Sequence, residues 1–137
     1  MTISFTGGCR CGFVRYECSA APLLTVNCHC RDCQQATGGA YVSVVVVPQH
    51  ALKITGEVKY YYSLNDNGDP VSRGFCMNCG SHLLGRPAVP EILTIYAGTL
   101  DDPSWYKPTM DIFTNSAQPW DHMNPELPKF SKNPPMA

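Results

Sequence analysis

A chain of 137 residues can bury one ordinary hydrophobic core without disulfide staples. Apolar residues make up 44% and charged residues only 15%, a balance that excludes a disordered chain. The formal net charge of -1 argues against a nucleic-acid grip built on phosphate neutralisation, and no block of like charge offers itself to an anionic membrane.

Twelve prolines and eleven glycines favour short elements joined by turns, so the expected fold is mainly β. Phe13 to Cys18 alternates and forms the first expected strand. Leu23 to Cys28 forms a second and delivers Cys28 at its end. Arg31 to Thr37 suits one or two helical turns, stopped by Gly38 and Gly39. Tyr41 to Val47 is a strand ended by Pro48. Its apolar stretch, Val42 to Val47, has the length of one buried strand and falls far short of the roughly 20 residues that span a bilayer. Ile54 to Ser63 suggests another strand, with Tyr60, Tyr61 and Tyr62 adding β propensity and Gly56 a bend. Asn65 to Pro70 is a turn. Val71 to Phe75 leads into Cys76 and Cys79, and Ile92 to Ala97 is a further strand. After Pro103 the chain should wrap the domain as an ordered loop. Nothing divides the chain, so residues 1–137 are expected to form one domain. Met1 to Phe5 lacks a basic region followed by an apolar one, so the expected location is the cytoplasm, where thiols stay reduced.

The eight cysteines carry the chemical signal. Cys9 and Cys11 form C-x-C, Cys28, Cys30 and Cys33 form C-x-C-x-x-C, and Cys76 and Cys79 form C-x-x-C. Such spacing brings sulfurs to one point, as an ion about 2.3 Å from each requires. A disulfide framework fits a reducing compartment badly. Cys18 stands alone in an alternating segment and suits a small buried hydrophobe. The simplest partition joins Cys9, Cys11, Cys76 and Cys79 in one closed, structural zinc site. It leaves Cys28, Cys30 and Cys33 as an open site whose fourth position can take water or a thiol. Rivals stay open: His29 or His82 could complete the trio, or an iron–sulfur cluster could use the same sulfurs. Arg31 and Asp32, inside the trio's loop, and Trp120, in the tail, are substrate-contact candidates. Arg73 could attract an anionic ligand. Gln34 suits the helix surface, Trp120 equally suits core packing, and the three tyrosines suit strand packing.

Three motifs in order are Gly7-Gly8-Cys9-Arg10-Cys11-Gly12, Cys28-His29-Cys30-Arg31-Asp32-Cys33 and Phe75-Cys76-Met77-Asn78-Cys79-Gly80-Ser81. Together they resemble the glutathione-dependent formaldehyde-activating enzyme family over roughly residues 5–130. The tail segments Ile112 to Trp120 and Leu127 to Phe130 look like that family's C-terminal segment. The resemblance implies stacked, tent-like antiparallel sheets of the methionine-sulfoxide-reductase-B-like zinc fold, with one short helix. It implies structural zinc on Cys9, Cys11, Cys76 and Cys79, and catalytic zinc on Cys28, Cys30 and Cys33. It also implies a carbon–sulfur lyase that joins glutathione to formaldehyde. The competing readings are a zinc-stabilised scaffold without turnover and methionine sulfoxide reduction, for which Cys18 is the one metal-free cysteine.

Overall fold

The computed structural model describes residues 3–134. Among the described residues ten strands form two sheets. The smaller holds β1 (Phe5–Gly8), β2 (Arg15–Cys18) and β5 (Leu52–Thr55), in the order β1-β2-β5. The larger holds β3 (Leu24–Cys28), β4 (Val42–Pro48), β6 (Val58–Leu64), β7 (Pro70–Cys76), β8 (His82–Arg86), β9 (Ile92–Tyr96) and β10 (Met110–Ile112). Its order is β10-β3-β4-β9-β8-β7-β6. All pairs are antiparallel except β10 with β3. One α-helix, α1 (Arg31–Thr37), is joined by four short 3-10 turns. The mainly β fold, with stacked antiparallel sheets and one short helix, agrees with the expectation. No helix among the described residues is long and apolar enough to cross a bilayer.

The main core lies between the sheets. Val14, just before β2, and Tyr16 and Cys18 from the smaller meet Val45, Val47, Leu83, Leu84, Leu93 and Ile95 from the larger. Two inward residues per β2 turn of alternation supply that face, which is why Tyr16 and Cys18 are buried while Arg15 and Glu17 are exposed. A second core joins Val26, Val42, Val44 and Tyr96 to Cys28 and Cys33, so the trio's loop sits on packed apolar side chains.

Two expectations need correction. Ile54 to Ser63 is not one bent strand. Gly56, at φ 94°, breaks it into β5 and β6, which belong to different sheets. Only glycine enters that region cheaply, and a Cβ there would meet the carbonyl of Phe13. The segment after Pro103 is not all loop. It supplies β10, which lies parallel to β3, with Thr109 N–H donating to the Thr25 carbonyl at one end and His29 N–H to the Ile112 carbonyl at the other. Strands β1 and β8 also escaped the sequence reading. The first is half glycine and the second contains Gly85, which weakens β propensity in each.

Ile95 is fully buried between the sheets. Ile95→Ala should therefore cost about 2–5 kcal/mol of stability. Denaturant unfolding of the metal-loaded protein checks this, and a loss below about 1 kcal/mol would contradict the assigned core.

Candidate metal centres

The first sulfur cluster ties the two sheets together. Cys9 and Cys11 sit in the tight turn after β1, where Gly12 donates to the Cys9 carbonyl at 3.2 Å. Cys76 ends β7, and Cys79 follows in a turn closed by Gly80 N–H on the Cys76 carbonyl at 2.8 Å. The four Sγ atoms lie within 4.8 Å of one another. Cys9 and Cys11 are 3.6 Å apart, and Cys11 and Cys76 are 3.8 Å apart. Donors surround the sulfurs. Val14 N–H reaches Cys9 Sγ at 3.2 Å, and the N–H groups of Asn78 and Cys79 reach Cys76 Sγ at 3.4 and 3.5 Å. Asn78 Nδ2 donates to Cys11 Sγ at 3.3 Å. N–H groups aimed at sulfur favour the thiolate, the form that binds metal. A hydrogen bond from Ser81 lowers exposed Cys79 to about 5.

The second cluster is built by the start of α1. Cys28 ends β3, Cys30 is the residue before the helix, and Cys33 lies in its first turn. The backbone N–H of Cys33 donates to Cys30 Sγ at 3.2 Å, so a candidate ligand also caps the helix. Cys28 and Cys33 are buried, and Cys30 is half-buried. The three sulfurs lie within 4.8 Å of one another. Hydrogen bonds from Cys28 and Cys33 pull Cys30 well below the ordinary thiol value, while the same contact with Cys30 pushes Cys28 up. Among the described residues no histidine or carboxylate joins this group. All eight cysteines are free. Seven sulfurs in two convergent groups fit soft-ligand metal sites.

His29 does not complete the trio. Its Nε2 hydrogen-bonds Asp111 Oδ1 at 2.8 Å and its Nδ1 hydrogen-bonds Asp121 Oδ2 at 2.5 Å. Both ring nitrogens thus face carboxylates, and the imidazole is fully buried. Lys129 Nζ closes the cluster at 3.0 Å from Asp111 Oδ2. This arrangement anchors the trio's loop to the tail. Sequence reasoning missed it, because Asp111 and Asp121 lie 82 and 92 residues from His29.

Other candidates divide. Arg31 is exposed and donates to Gln34 Oε1, while Asp32 is exposed beside a cleft. Gln34 is not on the helix surface; it is buried, and its Nε2 donates to the carbonyls of His29 and Ser116 at 2.8 and 3.0 Å. Trp120 is 60% exposed, so it does not pack in the core, and it does not line the cleft beside Asp32. Arg73 is half-buried, with Nη2 3.8 Å from Cys33 Sγ. Cys18 is fully buried, donates to the Ala20 carbonyl at 3.4 Å, and burial raises its pKa. A raised, inaccessible thiol suits packing and not sulfoxide chemistry.

A profile of the family described as glutathione-dependent formaldehyde-activating enzyme matches residues 4–116. The chain belongs to this family. All seven clustered cysteines of this family member fall inside the matched span; the tail with Trp120 and Asp121 lies beyond it. Relatives provisionally named glutathione-dependent formaldehyde-activating enzyme occur in Penicillium rubens and Colletotrichum graminicola. They are 28% and 25% identical over 82% of this chain. The chain spans 63% of the length of each. A relative of the same name in Emericella nidulans is 32% identical over 61% of the chain and 44% of its own length. A crystal structure of a Rhodobacter sphaeroides protein shares the fold, with a TM-score of 0.57 and 18% identity over 90% of this chain and 98% of that one.

Burial raises the pKa of Asp111, but hydrogen bonds from His29 and Lys129 outweigh it and hold the carboxyl below its ordinary value. A depressed carboxylate adds stability above its unfolded value, about 3.9, and loses it as pH falls toward the folded one. Asp111→Asn should thus be less stable than the wild type at pH 7. The gap should narrow as pH drops below about 4. Parallel denaturant midpoints across pH measure it, and a constant gap would contradict the pairing.

Proposed function

We propose that this chain is a single zinc-binding domain working in the cytoplasm as a carbon–sulfur lyase. It would join glutathione, or a similar small thiol, to formaldehyde or another small aldehyde. The observation that carries this reading is the trio of Cys28, Cys30 and Cys33. Its sulfurs converge, yet no fourth protein ligand among the described residues joins them. The four-sulfur group of Cys9, Cys11, Cys76 and Cys79 supplies a full tetrahedral donor set and suits a structural zinc. Family membership supports the same reaction class. Neither nucleic acid nor membrane is a partner in this reading.

A zinc held by the trio would stabilise a substrate thiol as its thiolate, the nucleophilic form. The chain's own residues do the rest. The helix cap holds Cys30 against Cys33, and the carboxylates around His29 hold the loop between Cys28 and Cys30. The substrate thiolate adds to the aldehyde carbon and forms the new C–S bond. The C=O π pair moves to oxygen, which takes up the proton the thiol released. The reverse reaction breaks the same C–S bond and returns thiol and aldehyde.

The zinc-loaded protein should speed exchange between S-hydroxymethylglutathione and its components above the uncatalysed rate, read by exchange NMR. Cys30→Ser should lose that enhancement and one of the two metal equivalents counted by elemental analysis. Cys76→Ser should instead lower the melting temperature of the whole domain. Exchange at the background rate, with metal spectra indifferent to glutathione, would favour the scaffold reading.

A further inference from the structure

A cleft of about 320 Å³ opens beside the trio. One wall is the outer face of α1, where Asp32, Gln35 and Ala36 share a side at i, i+3 and i+4 spacing. The opposite wall is the larger sheet. Register pairs Tyr61 with Arg73 and Phe75 with His82, and alternation along β7 puts Arg73 and Phe75 on one face. The cleft is therefore floored by two aromatic rings and His82, with a guanidinium at the end nearest Cys33.

Arg73 is the informative residue. It is half-buried, and among the described residues no carboxylate lies within salt-bridge distance of it. Asp32 lines the same cleft but is exposed and unpaired with it. Among the described residues its acceptors are Cys33 Sγ, a long contact at 3.8 Å, and the Tyr96 hydroxyl, which together leave most of its five N–H donors unused. The trio's sulfurs are the anionic groups nearest this guanidinium, and a divalent ion held there would cancel most of their charge and leave the fork free to meet a carboxylate. His82 Nδ1 is a buried polar atom of this lining without a partner. Unsatisfied polar groups in a cleft of small-molecule size mark where a ligand's polar atoms belong.

We infer that this cleft receives the body of a small thiol bearing a carboxylate, and that Arg73 grips the carboxylate while the thiol reaches the trio. Arg73 is thus the specificity-determining residue for an anionic thiol over a neutral one. The inference rests on the thiol reading of the trio given above. The planar fork of arginine suits a carboxylate, and its approach to Cys33 sets a short span between the ligand's sulfur and its charge. Tyr61 and Phe75 give the intervening carbons an apolar floor.

The test uses the cobalt-loaded protein, whose visible spectrum reports a thiol reaching the metal, titrated with 3-mercaptopropionate and with its methyl ester. The two probes share the thiol and the carbon spacing, and the ester removes the carboxylate charge; each affinity is corrected for the probe's own thiol pKa. The wild type should bind the free acid about tenfold more tightly than the ester, the size of one charge-assisted contact. Arg73→Gln should bring the two affinities together, chiefly by weakening the acid, and Arg73→Lys should restore part of the gap. Equal affinities in the wild type would overturn the inference without using any variant. So would a gap that survives in Arg73→Gln with its metal count intact. If neither thiol alters the spectrum, the thiol reading of the trio fails and this inference falls with it. Binding of both at equal strength leaves that reading standing and removes only the role of Arg73.

Discussion

Four sulfurs from opposite parts of the chain, Cys9 and Cys11 with Cys76 and Cys79, meet at one point, and the rest of the architecture is arranged around that closure. The loop between them holds β2 to β6, α1 and the trio. Closing so long a loop costs chain entropy that a few weak contacts would not offset. Thiolates packed this closely also repel one another, so the cluster needs positive charge or donors between them. The N–H groups of Val14, Asn78 and Cys79 and the amide of Asn78 supply donors. A divalent metal would supply the charge and turn the remaining repulsion into folding free energy.

The second cluster depends on the first through β7. Cys76 ends this strand, and alternation back along it places Phe75 and Arg73 on the opposite face, toward the trio. One strand therefore serves the four-sulfur group with its end and the cleft with its side chains. Gly74 lies between them because Val58 and Tyr60 fill the space a Cβ would take. A slip of one residue in β7 would bury Arg73 and turn Gly74 toward the cleft.

The trio is held from beneath and from behind. Val26, Val42, Val44 and Tyr96 pack under it. Behind it, Asp111 and Asp121 flank His29, and Gln34 binds the carbonyls of His29 and Ser116. All of these contacts but the one from Gln34 to the His29 carbonyl draw on the segment after Pro103, which thus positions the loop instead of merely covering the domain. Asp121 Oδ1 is buried without a partner, so this support carries some electrostatic cost. Rigid support suits a group of three sulfurs, because among the described residues no fourth protein ligand fixes its geometry.

Local spacing decided what was readable from the amino-acid order. C-x-C, C-x-C-x-x-C and C-x-x-C force sulfurs together whatever the rest of the chain does, and period-two alternation and Gly38 mark strands and the helix end within a few residues. Those signals gave the two sulfur groups, the family and the mainly β class. The partners of His29, the burial of Gln34, the exposure of Trp120 and the cleft around Arg73 were decided by tertiary structure alone. Each joins residues tens of positions apart through strand register or the return of the tail, and neither leaves a local pattern. A lone arginine in an alternating strand looks the same whether it faces water or three sulfurs; only the packing of α1 against the sheet distinguishes them.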